Sequence, residues 1–422
     1  MNPTMQPTLQ FRPLSPAVAA DAPSALDLLI TITTPDPPAA ETSQQRPALN
    51  LALVIDRSGS MSGSKLSYAR KAARFLAAEL SSRDRLAIIT FDDEVQVLVP
   101  STPVTDPQPF IAAINTIHSG GCTALFDGWV AGATEVANHL DPAALNRVLL
   151  LSDGGANHGI FDAEEIATHV EGLSQRGVST SAFGLGNGFD EDLMGAVASA
   201  GDGSLAFIES PQQLADLYAS ELHGLASTLG KRVSLGIRSK NGAELVDVLN
   251  DLSSTAYGNL KLSNLRAGRE LHLAVRLQLP AWQPNQEICS VRLAWDAPGS
   301  SDRQALIEQL TLPVIKATDL QALEIDPLVA EQFALLQANR DRRRAIELLD
   351  QGDLAAASSS LDAIDGNLSA LPNSQLICKE RTLIAEKKEL LHRNRNLSRK
   401  RMRSESLRSS LDVWDGESSS KG

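Results

Sequence analysis

A chain of 422 residues, 43% of them hydrophobic, holds enough apolar material for two or three packed domains. Only 4% are aromatic, so those cores must be built from Leu, Ala, Val and Ile. A net charge of −13 argues against general nucleic-acid binding, and three well-separated cysteines, Cys122, Cys289 and Cys378, form neither a disulfide framework nor a zinc pattern.

Residues 25–33, Ala-Leu-Asp-Leu-Leu-Ile-Thr-Ile-Thr, read as a strand that pairs into a later β-module, with Pro35 to Pro47 as the connector. A core domain is expected over 49–229. It opens on Leu51-Ala52-Leu53-Val54-Ile55, a short aliphatic run without alternation, which predicts a buried strand of a parallel sheet. Leu66, Ala69, Ala72, Ala73, Leu76, Ala77 and Leu80 then repeat at helical spacing over about 65–80. A strand follows at 85–90. The Gly-rich segment from Gly120 to Gly128 opens a helix that runs to about His139, and a second aliphatic strand, Val148-Leu149-Leu150-Leu151, ends in Ser152-Asp153-Gly154-Gly155. Helices at 162–175, 190–200 and 212–229 alternate with strands at 178–183 and 204–208. This alternation predicts a doubly wound α/β sheet with helices on both faces.

From about 230 to 315 the period changes. Arg232 to Arg238, Glu270 to Leu279 and Cys289 to Trp295 alternate polar and apolar residues, as antiparallel strands with one solvated face do. The core domain is therefore expected to be inserted into a small antiparallel β-sandwich. Residues 318–395 read as a helical hairpin region. Val329, Phe333, Leu336, Ile346 and Leu349 mark one apolar face, and Gln351-Gly352-Asp353 turns into a second Ala/Leu-rich helix. Residues 396–422 are expected to form a disordered basic and Ser-rich tail. Arg399, Lys400, Arg401 and Arg403 within it are candidate partner-binding residues for an acidic surface.

The chemistry concentrates at two strand ends. Asp56, Ser58 and Ser60 leave the first buried strand at i, i+2 and i+4 on a tight Gly-containing loop, where α/β sheets place their ligands. One carboxylate and two hydroxyls that turn toward one point suit Mg²⁺, Ca²⁺ or Mn²⁺. Enzyme signatures are weak. Gly59 to Lys65 fails the phosphate-loop spacing, and neither His-Glu-x-x-His nor G-x-S-x-G occurs.

Three motifs in order complete a pattern: D-x-S-x-S at Asp56, Ser58 and Ser60, T-x-L-x-x-G beginning at Thr123, and S-D-G containing Asp153. The chain thereby resembles a von Willebrand factor type A domain with a complete metal-ion-dependent adhesion site. The resemblance implies that Ser58, Ser60 and Thr123 bind a divalent cation through their hydroxyls, with Asp56 and Asp153 behind waters. It also implies an open coordination position for an Asp or Glu of a protein partner, with Thr123 switching between direct and water-mediated contact. Over about residues 20–350 the chain is similar to bacterial homologues of calcium-activated chloride channels and inter-alpha-trypsin inhibitor heavy chains. The channel role does not carry over, because no run approaches the roughly 18 apolar residues of a membrane span.

The N-terminus lacks the regions of a signal peptide, so a cytoplasmic address is expected. The expected function is a non-enzymatic, cation-dependent bacterial scaffold or adaptor. The alternatives are an accessory protein acting with an AAA+ ATPase or a kinase/phosphatase system, and a Mg²⁺-dependent hydrolase. Cys122, just before Thr123, is expected to be a small packed side chain.

Overall fold

The computed structural model describes residues 6–36, 47–155, 158–186, 188–208, 210–255, 257–297, 302–393, 398, 399 and 402. Contacts divide the chain into two units. One is Ala39–Leu229 with Ala297–Ser301, and the other holds Met1–Pro38, Gly230–Asp296 and Asp302–Gly422.

The first unit is a six-stranded sheet with helices on both faces. Its strands run in the order Val95–Pro103, Arg85–Phe91, Leu49–Asp56, Leu145–Ser152, Val178–Leu185 and Leu205–Ile208. All neighbours pair in parallel except Val95–Pro103, which returns antiparallel on the edge. Leu49–Asp56 and Leu145–Ser152 are buried at every residue, as expected for strands covered on both faces. Chain order reverses about Leu49–Asp56, since Arg85–Phe91 adds on one side and Leu145–Ser152 on the other. That makes the carboxyl ends of these strands the switch point where such sheets hold ligands.

The helices set how closely the loops approach. Ser64–Glu79 buries Leu66, Ala69, Ala72, Ala73, Leu76 and Ala77 in a core shared with Leu51, Leu53 and Ile55. On the other face lies helix Leu125–Ala137. A methyl group at its Gly132 would lie 2.3 Å from Val54 Cγ2, so only glycine lets the helix axis come this near the sheet.

In the second unit, Ser24–Thr33 lies between Thr8–Pro13 and Glu270–Leu279, antiparallel to both, and Glu244–Val248 completes a four-stranded sheet. A five-stranded antiparallel sheet is built on Thr228–Ser239, Cys289–Asp296 and Arg303–Leu310. Helices follow, Pro327–Asp350 and Leu354–Ser369 as the expected hairpin and a third long helix, Gln375–Arg393, beyond it. Asp326 caps Pro327–Asp350 by accepting from the Leu328 and Val329 amides. The first turns of that helix bury Val329, Phe333 and Leu336 against Leu29, Leu249 and Ala274 of the four-stranded sheet. Its Arg340 donates to Asp247 at 2.7 Å.

The stretch expected as a disordered tail lies mostly outside the described residues. The three described within it are packed: Ser398 Oγ donates to Lys387 O at 3.1 Å, Arg399 pairs with Asp350, and Met402 is buried in the helical core.

Candidate metal centre

Three loops meet at the carboxyl ends of Leu49–Asp56 and Leu145–Ser152. Backbone bonds join two of them: Gly120 N donates to Arg57 O at 2.8 Å, and Gly59 N to Gly121 O at 3.1 Å. The Ala124 amide donates to Asp92 O at 2.7 Å and fixes the segment that carries Thr123. Asp92 is itself held by Arg57 Nη2 at 3.0 Å and by the Glu94 amide at 2.9 Å.

Asp56, the last residue of its strand, is fully buried. Its Oδ1 accepts from the Ser58 amide at 2.8 Å and its Oδ2 from Ser152 Oγ at 2.5 Å. Burial raises its pKa above the usual carboxylate value, against the lowering by the hydrogen bonds from Ser152 and Ser58, and the like charge of Asp153 adds to the rise. A cation that favours the ionised form would offset this penalty.

The hydroxyls converge. Ser58 Oγ and Ser60 Oγ lie 3.1 Å apart, and Ser60 Oγ donates to Asp153 Oδ1 at 2.7 Å. A methyl group at Gly154 would lie 3.8 Å from Ser60 Oγ and 3.9 Å from Thr123 Oγ1, so these two hydroxyls border one small space. Adjacent ligands of an octahedral Mg²⁺ at 2.0–2.1 Å are about 3 Å apart, which the two serine hydroxyls match. The donor set therefore fits a hard divalent cation. Among the described residues no group of three or more His, Cys, Asp or Glu gathers to hold a metal, because these donors are mainly hydroxyls.

All five sequence-predicted residues of the centre, Asp56, Ser58, Ser60, Thr123 and Asp153, lie at this switch point. Two further residues serve it that the motifs did not single out. Ser152 orients Asp56, and Lys65 pairs with Asp153 Oδ2. Ser152 stands inside the S-D-G motif, but a strand-end serine there gives no sign of which carboxylate it serves. Cys122 is exposed, not packed as expected. Among the candidate basic residues, Arg399 is engaged by Asp350, and Lys400, Arg401 and Arg403 lie outside the described residues. No helix among the described residues is long and apolar enough to cross a membrane.

Residues 50–220 match the family model of the von Willebrand factor type A domain. An uncharacterized protein of Synechocystis sp. is 27% identical over 337 residues, covering 76% of this chain and 79% of that protein. Inter-alpha-trypsin inhibitor heavy chain H3 of Rattus norvegicus is 30% identical over 159 residues, which are 35% of this chain and 18% of the rat protein. A solved von Willebrand factor type A structure from Catenulispora acidiphila superposes with a TM-score of 0.69 at 15% identity, across 91% of this chain and 90% of that one, and shows a shared fold. Over residues 50–220 the chain is thus similar to the von Willebrand factor type A domain.

Proposed function

We propose that this protein is a non-enzymatic scaffold or adaptor that captures an acidic residue of a protein partner through a divalent cation, Mg²⁺ by preference over Ca²⁺ or Mn²⁺. The observation that carries this reading is the convergence of the Ser58, Ser60 and Thr123 hydroxyls beside two buried carboxylates, Asp56 and Asp153. Neutral hydroxyl donors leave a bound cation strongly electrophilic, while the carboxylates offset its charge at longer range. Mg²⁺ keeps waters readily and suits an incomplete protein shell. A coordination position facing solvent then favours an anionic oxygen, and a partner's Asp or Glu supplies one. The helical region of the second unit adds a further surface for assembly, and the basic residues Lys400, Arg401 and Arg403 suit an acidic one.

Affinity capture from native lysate tests the reading, with wild type and Asp56→Ala each in Mg²⁺ and in chelator. A protein retained only by wild type in Mg²⁺ is expected. The same partners in all four conditions would refute it.

A further inference from the structure

Lys65 is the second residue of helix Ser64–Glu79. A cation in the first turn faces the positive end of the helix dipole, so local electrostatics disfavour it there. Its ammonium nevertheless reaches Asp153 Oδ2, on a side chain with no exposed surface, while the lysine itself is 33% exposed. The stem is placed as well: a methyl group at Gly186, in the loop after Val178–Leu185, would lie 3.7 Å from Lys65 Cε. Asp153 is thereby shared. One oxygen accepts from Ser60, a candidate metal ligand, and the other pairs with Lys65.

The formal charges show the consequence. Of the groups hydrogen-bonded to the candidate ligands, Asp56 and Asp153 contribute −2 and Lys65 +1, leaving −1; the neighbouring Arg57–Asp92 pair adds nothing, and the Asp93 carboxylate beside Gly121 is a more distant background charge that the Lys65 variants leave unchanged. A divalent cation brings this centre to +1, whereas without Lys65 it would bring it to zero. We propose that Lys65 is a built-in counter-cation of the metal centre, which restrains cation affinity and keeps the loaded centre positive toward a carboxylate ligand. This rests on the proposed cation-dependent reading and names the residue that tunes it. Lys65 acts through Asp153 and is a positioning residue.

The test compares wild type, Lys65→Gln and Lys65→Arg. Gln can still donate to Asp153 but lacks the charge, and Arg keeps it. Mg²⁺ affinity is read by titration calorimetry. Acetate affinity of the Mn²⁺-loaded protein is read by water-proton relaxation, since acetate displaces a metal-bound water. Lys65→Gln should bind Mg²⁺ on the order of tenfold tighter and acetate several-fold weaker, with Lys65→Arg within about twofold of wild type in both. Unchanged or weaker Mg²⁺ binding by Lys65→Gln would overturn the role of Lys65 while leaving the metal centre standing. Wild type that binds no divalent cation would instead overturn the underlying reading. If circular dichroism shows Lys65→Gln unfolded, Lys65→Arg decides alone, and a tenfold change with charge conserved would overturn the proposal.

Discussion

Ser152 Oγ donates to Asp56 Oδ2 at 2.5 Å and joins the ends of the two central strands at the point where chain order reverses. The Ser58 amide at 2.8 Å and the Ser58 side chain also support Asp56, so loss of the Ser152 hydroxyl removes one of its orienting donors. Ser152→Ala should lower Mg²⁺ affinity by up to roughly 10-fold, the lower end of what outer groups of a metal centre contribute, because Asp56 itself is expected to act through waters. Calorimetric titration checks this, and an unchanged affinity would show that Asp56 is oriented by other means.

Thr123 Oγ1 sits across the same small space from Ser60 Oγ. If it alternates between direct and water-mediated contact with the cation, Thr123→Ala should weaken partner binding more than Mg²⁺ binding. Titrating the metal and the captured partner separately measures the two losses. Equal losses would remove the switching role and leave Thr123 a fixed ligand.

Gly132 lets helix Leu125–Ala137, which follows the Thr123 loop directly, lie against Val54. Gly132→Ala gains about 1 kcal/mol in helix propensity, but its methyl group overlaps Val54 Cγ2. A 2.3 Å approach belongs in the upper part of the about 1–3 kcal/mol that overpacking costs, which leaves the variant about 1–2 kcal/mol less stable. Urea unfolding reads the difference, and a midpoint equal to or above wild type would contradict so close a contact.

His272 reports on the other unit. Burial holds its imidazole below the usual range against the opposing pull of Glu270, and its Nδ1 lies 3.0 Å from Thr31 Oγ1. The unfolded chain takes up a proton near pH 6.5 and the native state does not, so this stability is fully present above about pH 6.5 and is lost as pH falls toward the depressed native value. His272→Gln should therefore flatten the fall in stability between about pH 7 and pH 5. Denaturant unfolding across that range checks it, and equal slopes in both proteins would exclude His272 as the source.

The parts of the fold that read directly from sequence are those with one dominant signal. Leu51 to Ile55 and Val148 to Leu151 are aliphatic without interruption because both faces of their strands are covered. Residues 25–33 could be assigned to the β-module because their alternation differs from that of the core strands, and they pair with Glu270–Leu279. Val95–Pro103 was harder to see. It is an edge strand with exposed Val95 and Val97 and prolines at positions 100 and 103, which an edge tolerates and a central strand does not. The third long helix, Gln375–Arg393, carries many charges along its length, which dilutes its apolar stripe.

At the centre, motif spacing brings out Asp56, Ser58, Ser60, Thr123 and Asp153. The pairing of Lys65 with Asp153 and of Ser152 with Asp56 joins residues 88 and 96 positions apart, and no local pattern encodes either contact. Lys65 even stands against its helix dipole, so its purpose emerges only once the fold sets Asp153 beside it.

The central claim is that the hydroxyls of Ser58, Ser60 and Thr123 hold a divalent cation with a position left for a carboxylate. The most direct measurement is anomalous diffraction from crystals grown with Mn²⁺ and acetate. An anomalous peak is expected within coordination distance of Ser58 Oγ and Ser60 Oγ, with an acetate oxygen completing the shell. A peak elsewhere, or none at these hydroxyls under saturating Mn²⁺, would contradict it.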